Sequence, residues 1–125
     1  MKISVIGTGY VGLVTGACFA DVGNSVTCVD NNRKKVEDLN KGLLPIFEPR
    51  LEELVAANRR EQRLTFTAEL AQAVRESEIC LIAVGTPTDE AGRADLSQVL
   101  AAGREIGRHL KSGLIVTIKS TVPVG

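Results

Sequence analysis

Aromatic side chains are nearly missing from this 125-residue chain, which has one Tyr, three Phe and no Trp. Its core must therefore be built from Val, Ile, Leu and Ala, and the hydrophobic fraction of 44% is ordinary for a folded domain. An excess of either charge is missing too. Fifteen basic residues balance fifteen acidic ones, which excludes a general polyanion binder and with it a nucleic-acid partner. Cysteines are few and wrongly spaced for cross-linking. Cys18, Cys28 and Cys80 are odd in number and contain no CxxC pair, so neither a disulfide framework nor a zinc site is expected. Each lies in an apolar run, where a free thiol behaves as a small buried hydrophobe. The single histidine, His109, sits near a predicted helix end, where a positive side chain suits the helix dipole. With no nucleophile or metal partner in view it reads as structural, and no metal is expected. The opening apolar run is far too short for a signal peptide or a membrane span. The expectation is a cytoplasmic location with no membrane partner.

The length suits one domain, and strand and helix signals alternate along it. Short apolar runs predict strands over residues 3–6, 25–30, 64–66, 79–84 and 114–118. Residues 10–22 are apolar nearly all round and predict a buried helix closed by Gly23-Asn24. Asn31 or Asn32 can cap a helix reaching about residue 40, with Gly42 ending it. Residues 43–49 hold two prolines and read as an extended loop. Leu51, Leu54 and Val55 then mark a short helix, followed by Arg59, Arg60 and Arg63, read as a solvated helix end. Thr67 can cap a helix presenting Leu70, Ala73 and Val74. Asp95 with Gln98 resembles a capping box. Its helix would carry Leu96, Val99, Leu100, Gly103, Ile106, Gly107 and Leu110 on one stripe, up to Gly113. Such alternation implies an α/β fold, a Rossmann-type doubly wound parallel sheet of strand order 3-2-1-4-5.

The segment Gly7-Thr8-Gly9-Tyr10-Val11-Gly12 is GxGxxG. Alone it says little, but here it follows a predicted strand and opens a predicted helix, the context that gives it a mechanical meaning. Gly7 permits the tight turn, Gly9 lets the backbone approach a pyrophosphate, and Gly12 allows close helix packing. The unpaired amides and positive dipole end of the helix then face the phosphates. Asp30 closes the second strand, near the position roughly 20 residues on where a ribose-binding acid is expected. A carboxylate there favours NAD and repels the 2′-phosphate of NADP. Arg33 lies close enough to serve an NADP site instead, and a flavin or another adenosine-containing ligand also suits these features.

Two further segments follow strands on the same sheet edge, Gly85-Thr86-Pro87-Thr88-Asp89 and Lys119-Ser120-Thr121-Val122-Pro123-Val124-Gly125. Their hydroxyls, Thr86 and Thr121 above all, either reach a cofactor or belong to plain turns. Lys35, one turn after Asn31, is either a surface residue or a cation that swings toward the adenosine end of the ligand.

Taken together, Gly7 to Leu13, Pro45-Ile46-Phe47-Glu48-Pro49, Val84-Gly85-Thr86-Pro87-Thr88, Ala94-Asp95-Leu96-Ser97 and Lys119 to Gly125 resemble the N-terminal NAD-binding part of the UDP-glucose/GDP-mannose dehydrogenase family, in the family's order across the whole chain. Residues 42–54 and 89–97 are most similar to its UDP-glucose branch. The resemblance implies an enzyme that oxidises the C6 hydroxyl of a nucleotide sugar to a carboxylate with two NAD in succession. The sugar would be UDP-glucose, with GDP-mannose or a UDP-N-acetylhexosamine as alternatives, and the full-length enzyme a homodimer. It also implies that Gly7, Gly9 and Gly12 hold the pyrophosphate with Tyr10 and Val11 in close backbone contact. Asp30 and Lys35 would meet the adenosine ribose, Thr86 would touch the cofactor deeper in the cleft, and Thr121 would lie beside the nicotinamide and the reaction site.

The departures from the family are equally plain. Its nucleophilic cysteine sits in a Cys-Phe-Pro-Lys-Asp-like segment that does not occur here, and its nucleotide-sugar domain has no counterpart. Residues 1–125 are therefore expected to be a Rossmann fragment, cut before the sixth strand, that binds NAD without turning over UDP-glucose. The contrasting reading is a stand-alone regulatory dinucleotide sensor, in which the threonines at 86 and 121 would have no task.

Overall fold

In a computed structural model, which describes residues 1–124, five parallel strands form one sheet in the order β3-β2-β1-β4-β5. Gly125, the last residue of the segment after the fifth strand, lies outside the described residues. The strands are β1 Lys2–Ile6, β2 Ser25–Val29, β3 Leu64–Thr67, β4 Ile79–Ile82 and β5 Ile115–Ile118. The helices are α1 Tyr10–Asp21, α2 Arg33–Asn40, α3 Leu51–Arg60, α4 Leu70–Glu76 and α5 Ser97–Gly107. The order is the doubly wound one expected from the alternation of elements.

Successive strand residues point to opposite faces, and both faces are covered. Ile3, Val5, Val26, Cys28, Leu64 and Leu81 pack with Leu13 and Ala17 of α1 and with Leu51 and Val55 of α3. Ile6, Val29, Cys80 and Ile82 meet Ala73 and Val74 of α4 and Val99, Ala102 and Ile106 of α5 on the other side. Burial on both faces is why the central strands β1 and β4 read as continuous apolar runs, whereas β3 alternates with Thr65 exposed and β5 is exposed along its length.

The glycines of the first turn are set by space. Gly7 has φ +106°. A Cβ on Gly12 would lie 1.9 Å from the Gly7 carbonyl oxygen, and one on Gly16 would lie 2.5 Å from the Cys28 sulfur. Gly16, which the motif does not contain, thus brings α1 against β2. Gly42 (φ +84°) ends α2 and Gly113 (φ +83°) turns the chain into β5.

Several local expectations need correction. Helix α1 buries one face alone, with Tyr10, Val11 and Phe19 exposed, because an open sheet covers a helix on one side. Cys18 is exposed on the outer face, while Cys28 and Cys80 are buried; burial pushes the Cys28 thiol up to about 12. Helix α5 packs through Val99, Ala102 and Ile106, whereas Leu100, Gly103, Gly107 and Leu110 of the predicted stripe face outward. It ends at Gly107, well before Gly113. Strand β4 stops at Ile82, short of Val84. The Thr67 hydroxyl accepts from the Glu69 amide at 3.1 Å, a turn that precedes α4 rather than its cap. Asp95 accepts from the Ser97 amide at 2.9 Å, and no reciprocal bond to Gln98 forms a capping box. Arg63 is only half solvated: its Nε donates to the Ala20 carbonyl and to Asn58 Oδ1, both at 3.1 Å.

Candidate functional site

The parallel pairing of β1 with β2 sets Ile6 opposite Val29, so the turn after β1 and the residue after β2 emerge side by side. Gly7 N–H donates to the Val29 carbonyl at 2.7 Å, extending the ladder into the turn. Next comes Thr8, completely buried. Its amide and hydroxyl both donate to Asp30 Oδ2, at 3.1 and 2.7 Å. Asp30 Oδ1 accepts from the Asn32 amide at 3.0 Å, and Lys35 Nζ lies 3.5 Å from Oδ2.

Asp30 is thereby fixed before any ligand arrives. Burial would push its carboxyl up, but the Asn32 and Thr8 donors and the Lys35 charge outweigh that and hold it below the usual aspartate value. An ionised carboxylate offers about four acceptor positions. Oδ2 is committed to Thr8 and Lys35, so Oδ1 keeps the capacity for a further donor. Lys35 owes its place to Asn32, whose side chain caps α2 by accepting from the Lys35 amide at 3.1 Å. Arg33 points elsewhere: its guanidinium donates to Glu69 at 3.0 Å on the surface.

At the mouth of α1, the amides of Tyr10, Val11 and Gly12 belong to the first helical turn, which has no carbonyls ahead of it to satisfy them. Gly9 is the N-cap and supplies no side-chain acceptor, and the first turn carries no acidic residue. No side chain of the cap or the first turn therefore compensates the positive end of the helix. A Cβ on Gly9 would meet nothing within 4 Å, so its own fold does not demand a glycine there.

A cleft of about 420 Å³ opens from this mouth along the ends of β4 and β5. Gly9, Tyr10 and Val11 line one side; Gly85, Thr86, Lys119 and Thr121 line the other. The Thr86 and Thr121 hydroxyls are 2.6 Å apart. Ser120 Oγ donates to the Val84 carbonyl at 2.8 Å, and the Lys119 amide donates to the Ile82 carbonyl at 2.7 Å, which fastens the two loops together. Across the lip, the Tyr10 hydroxyl donates to Glu48 Oε2 at 2.8 Å.

The candidate cofactor residues singled out from the sequence thus fall into two adjoining groups, while Arg33 and His109 belong to neither. Gly7, Thr8, Asp30 and Lys35 form the first; Gly9, Tyr10, Val11, Thr86 and Thr121 form the second, and Gly12 joins them by packing on Gly7. Reading the sequence missed Thr8 and Glu48 as parts of the site, and in the segment after β5 it put Thr121 ahead of Lys119 and Ser120. Thr8 stood in a variable position of the motif, and its partner is visible only once the β1–β2 register is known. His109, half-buried just after α5, lies 3.4 Å from Glu105. Among the described residues no cluster of His, Cys, Asp and Glu is placed to hold a metal ion, and no helix is long and apolar enough to cross a membrane.

Residues 1–125 match the UDP-glucose/GDP-mannose dehydrogenase family, NAD binding domain. The chain is 53% identical over 124 residues to the UDP-glucose 6-dehydrogenase TuaD of Bacillus subtilis, an alignment covering 99% of this chain and 27% of that protein. Its structure superposes on a UDP-glucose dehydrogenase from the archaeon Pyrobaculum islandicum with a TM-score of 0.92 and 41% identity, over 98% of this chain and 29% of that one. It superposes as well on the GDP-mannose dehydrogenase of Pseudomonas aeruginosa, with a TM-score of 0.93, 38% identity and the same shares. The chain therefore spans under a third of the length of the relatives it matches.

Proposed function

The chain belongs to the UDP-glucose/GDP-mannose dehydrogenase family, and on that premise we propose that it is the NAD-binding part of a cytoplasmic UDP-glucose 6-dehydrogenase, dimeric at full length, that makes UDP-glucuronate. The observation that carries the cofactor reading is the pairing of an uncompensated helix mouth with a carboxylate fixed beside it. The first suits a pyrophosphate, and the second suits a ribose diol. When bound, NAD supplies a hydride acceptor. The chain's own residues hold and orient it.

The amides of Tyr10, Val11 and Gly12 take the phosphate oxygens, with Gly9 giving them room. Asp30 Oδ1 accepts from a ribose hydroxyl while Thr8 and Lys35 keep its partner oxygen in place. Thr86 and Thr121, hydrogen-bonded to each other, face the nicotinamide half. Asp30 disfavours a 2′-phosphate, and Arg33 is drawn away by Glu69, so NAD rather than NADP fits. UDP-glucose is favoured as the sugar nucleotide because UDP-glucose 6-dehydrogenases stand at 53 and 52% identity, above the 38% of the GDP-mannose enzyme. None of the cleft residues is a thiol, so the 125 residues alone bind NAD without oxidising the sugar nucleotide.

Calorimetric titration with NAD tests the reading against Gly9→Val. The substitution costs about 1 kcal/mol of helix capping and fills the space reserved for phosphate. Binding by the wild type and at least about tenfold weaker binding by the variant are expected, the loss of roughly one charge-assisted hydrogen bond. A folded wild type that takes up no NAD refutes the proposal.

A further inference from the structure

Tyr10 is the first residue of α1, and its ring stays largely exposed at the lip of the cleft. Its hydroxyl reaches 38 positions along the chain to Glu48, in the loop between α2 and α3. That loop is not slack where Glu48 sits. The Glu48 carbonyl accepts from the Leu51 amide at 3.1 Å, Pro49 follows, Arg50 is held at φ +67°, and Leu51 is buried in the core. None of the ion pairs among the described residues involves Glu48, so the phenol is the donor its carboxylate has. Glu48 itself does not line the cleft; Tyr10 does.

We propose that Glu48 is a positioning residue: it pins the tip of the Tyr10 side chain to the α2–α3 loop, so that the ring stands as a fixed wall of the cofactor cleft. The inference rests on NAD being the occupant of that cleft. A ring held at both ends loses no rotational freedom when the ligand arrives, and preorganised side chains spare binding that loss. The same contact keeps the phenol protonated, since the hydrogen bond to Glu48 and its negative charge both raise the Tyr10 pKa. It also ties the loop to the cofactor: moving Glu48 moves the wall.

The composition provides the readout. Tyr10 is the sole tyrosine and there is no tryptophan, so emission excited beyond the phenylalanine absorption comes from this one ring, and a phenol donating to a carboxylate emits weakly. Glu48→Ala and Glu48→Gln are compared with wild type and Tyr10→Phe by emission, thermal melting and NAD titration. The expected result is brighter emission in Glu48→Ala with an unchanged melt, NAD binding weakened about three- to tenfold, and partial recovery of affinity in Glu48→Gln, whose amide oxygen still accepts. Glu48→Ala added to Tyr10→Phe should weaken binding no further, because the residue acts through the hydroxyl. Unaltered emission or equal NAD affinity in Glu48→Ala overturns the inference alone, as do additive losses in the double variant. A wild type that binds no NAD overturns the cofactor reading and this one together.

Discussion

Around α1 a single added carbon has nowhere to go: a Cβ on Gly12 would meet the Gly7 carbonyl oxygen at 1.9 Å, and one on Gly16 the Cys28 sulfur at 2.5 Å. Around α5 the same addition at Gly103 or Gly107 meets nothing within 4 Å. Both helices cross between parallel strands, yet the first turns its glycines onto the sheet and the second turns them to solvent. The strands beneath them differ in the same way. Both β1 and β2 have neighbours on each side, whereas β5 forms the sheet edge, with Ile115 60% and Ile118 50% exposed. Identical residue types therefore carry different constraints. Glycine in α1 is a steric requirement of the cofactor turn; glycine in α5 costs helix stability and returns no contact.

The sharpest way to break this comparison is to place alanine at both sites. Gly12→Ala should lose at least about 3 kcal/mol, since the obstructing atom is backbone and cannot swing aside. Gly103→Ala should gain about 0.5–1 kcal/mol. Urea unfolding of the two variants measures both, and equal effects would erase the distinction.

Asp30 sharpens it from the side of chemistry. Asp30→Ala removes the acceptor of two Thr8 donors and should weaken NAD binding about ten- to a hundredfold while costing about 1–3 kcal/mol of stability. Because the native pKa is lowered, the contribution of Asp30 to stability is fully present above the ordinary aspartate value of about 3.9. It is lost as pH falls through the lower native value. Acid titration of unfolding should show that slope in the wild type and a shallower one in the variant.

The smallest effect concerns the exposed edge. An exposed apolar edge strand invites pairing with another chain. Sedimentation of the 125 residues alone should show self-association rising with concentration, and Ile115→Lys should reduce it with little change in NAD affinity. A wild type that stays monomeric at every concentration would count against the contrast.

Sheet order and the meeting of Gly7, Gly9, Gly12 and Asp30 at one end of the sheet were legible in the sequence, because central parallel strands buried on both faces leave continuous apolar runs, and because these four residues sit at element ends that the runs themselves define. What could not be read depended on register between distant elements. The outward turn of Cys18 follows from which face of α1 meets β2. The shift of the α5 contact to Val99, Ala102 and Ile106 follows from how the helix rotates over β4. The Thr8–Asp30 and Tyr10–Glu48 bonds span 22 and 38 positions, and no periodicity announces either.

The closeness of Gly12 to Gly7 also limits descent. No single replacement at position 12 keeps the turn and discards only its ligand, so that position holds for as long as the fold does. Gly9, where an added Cβ meets nothing within 4 Å, is free of that constraint, and a folded domain that has forgotten its cofactor should bear the first scar there.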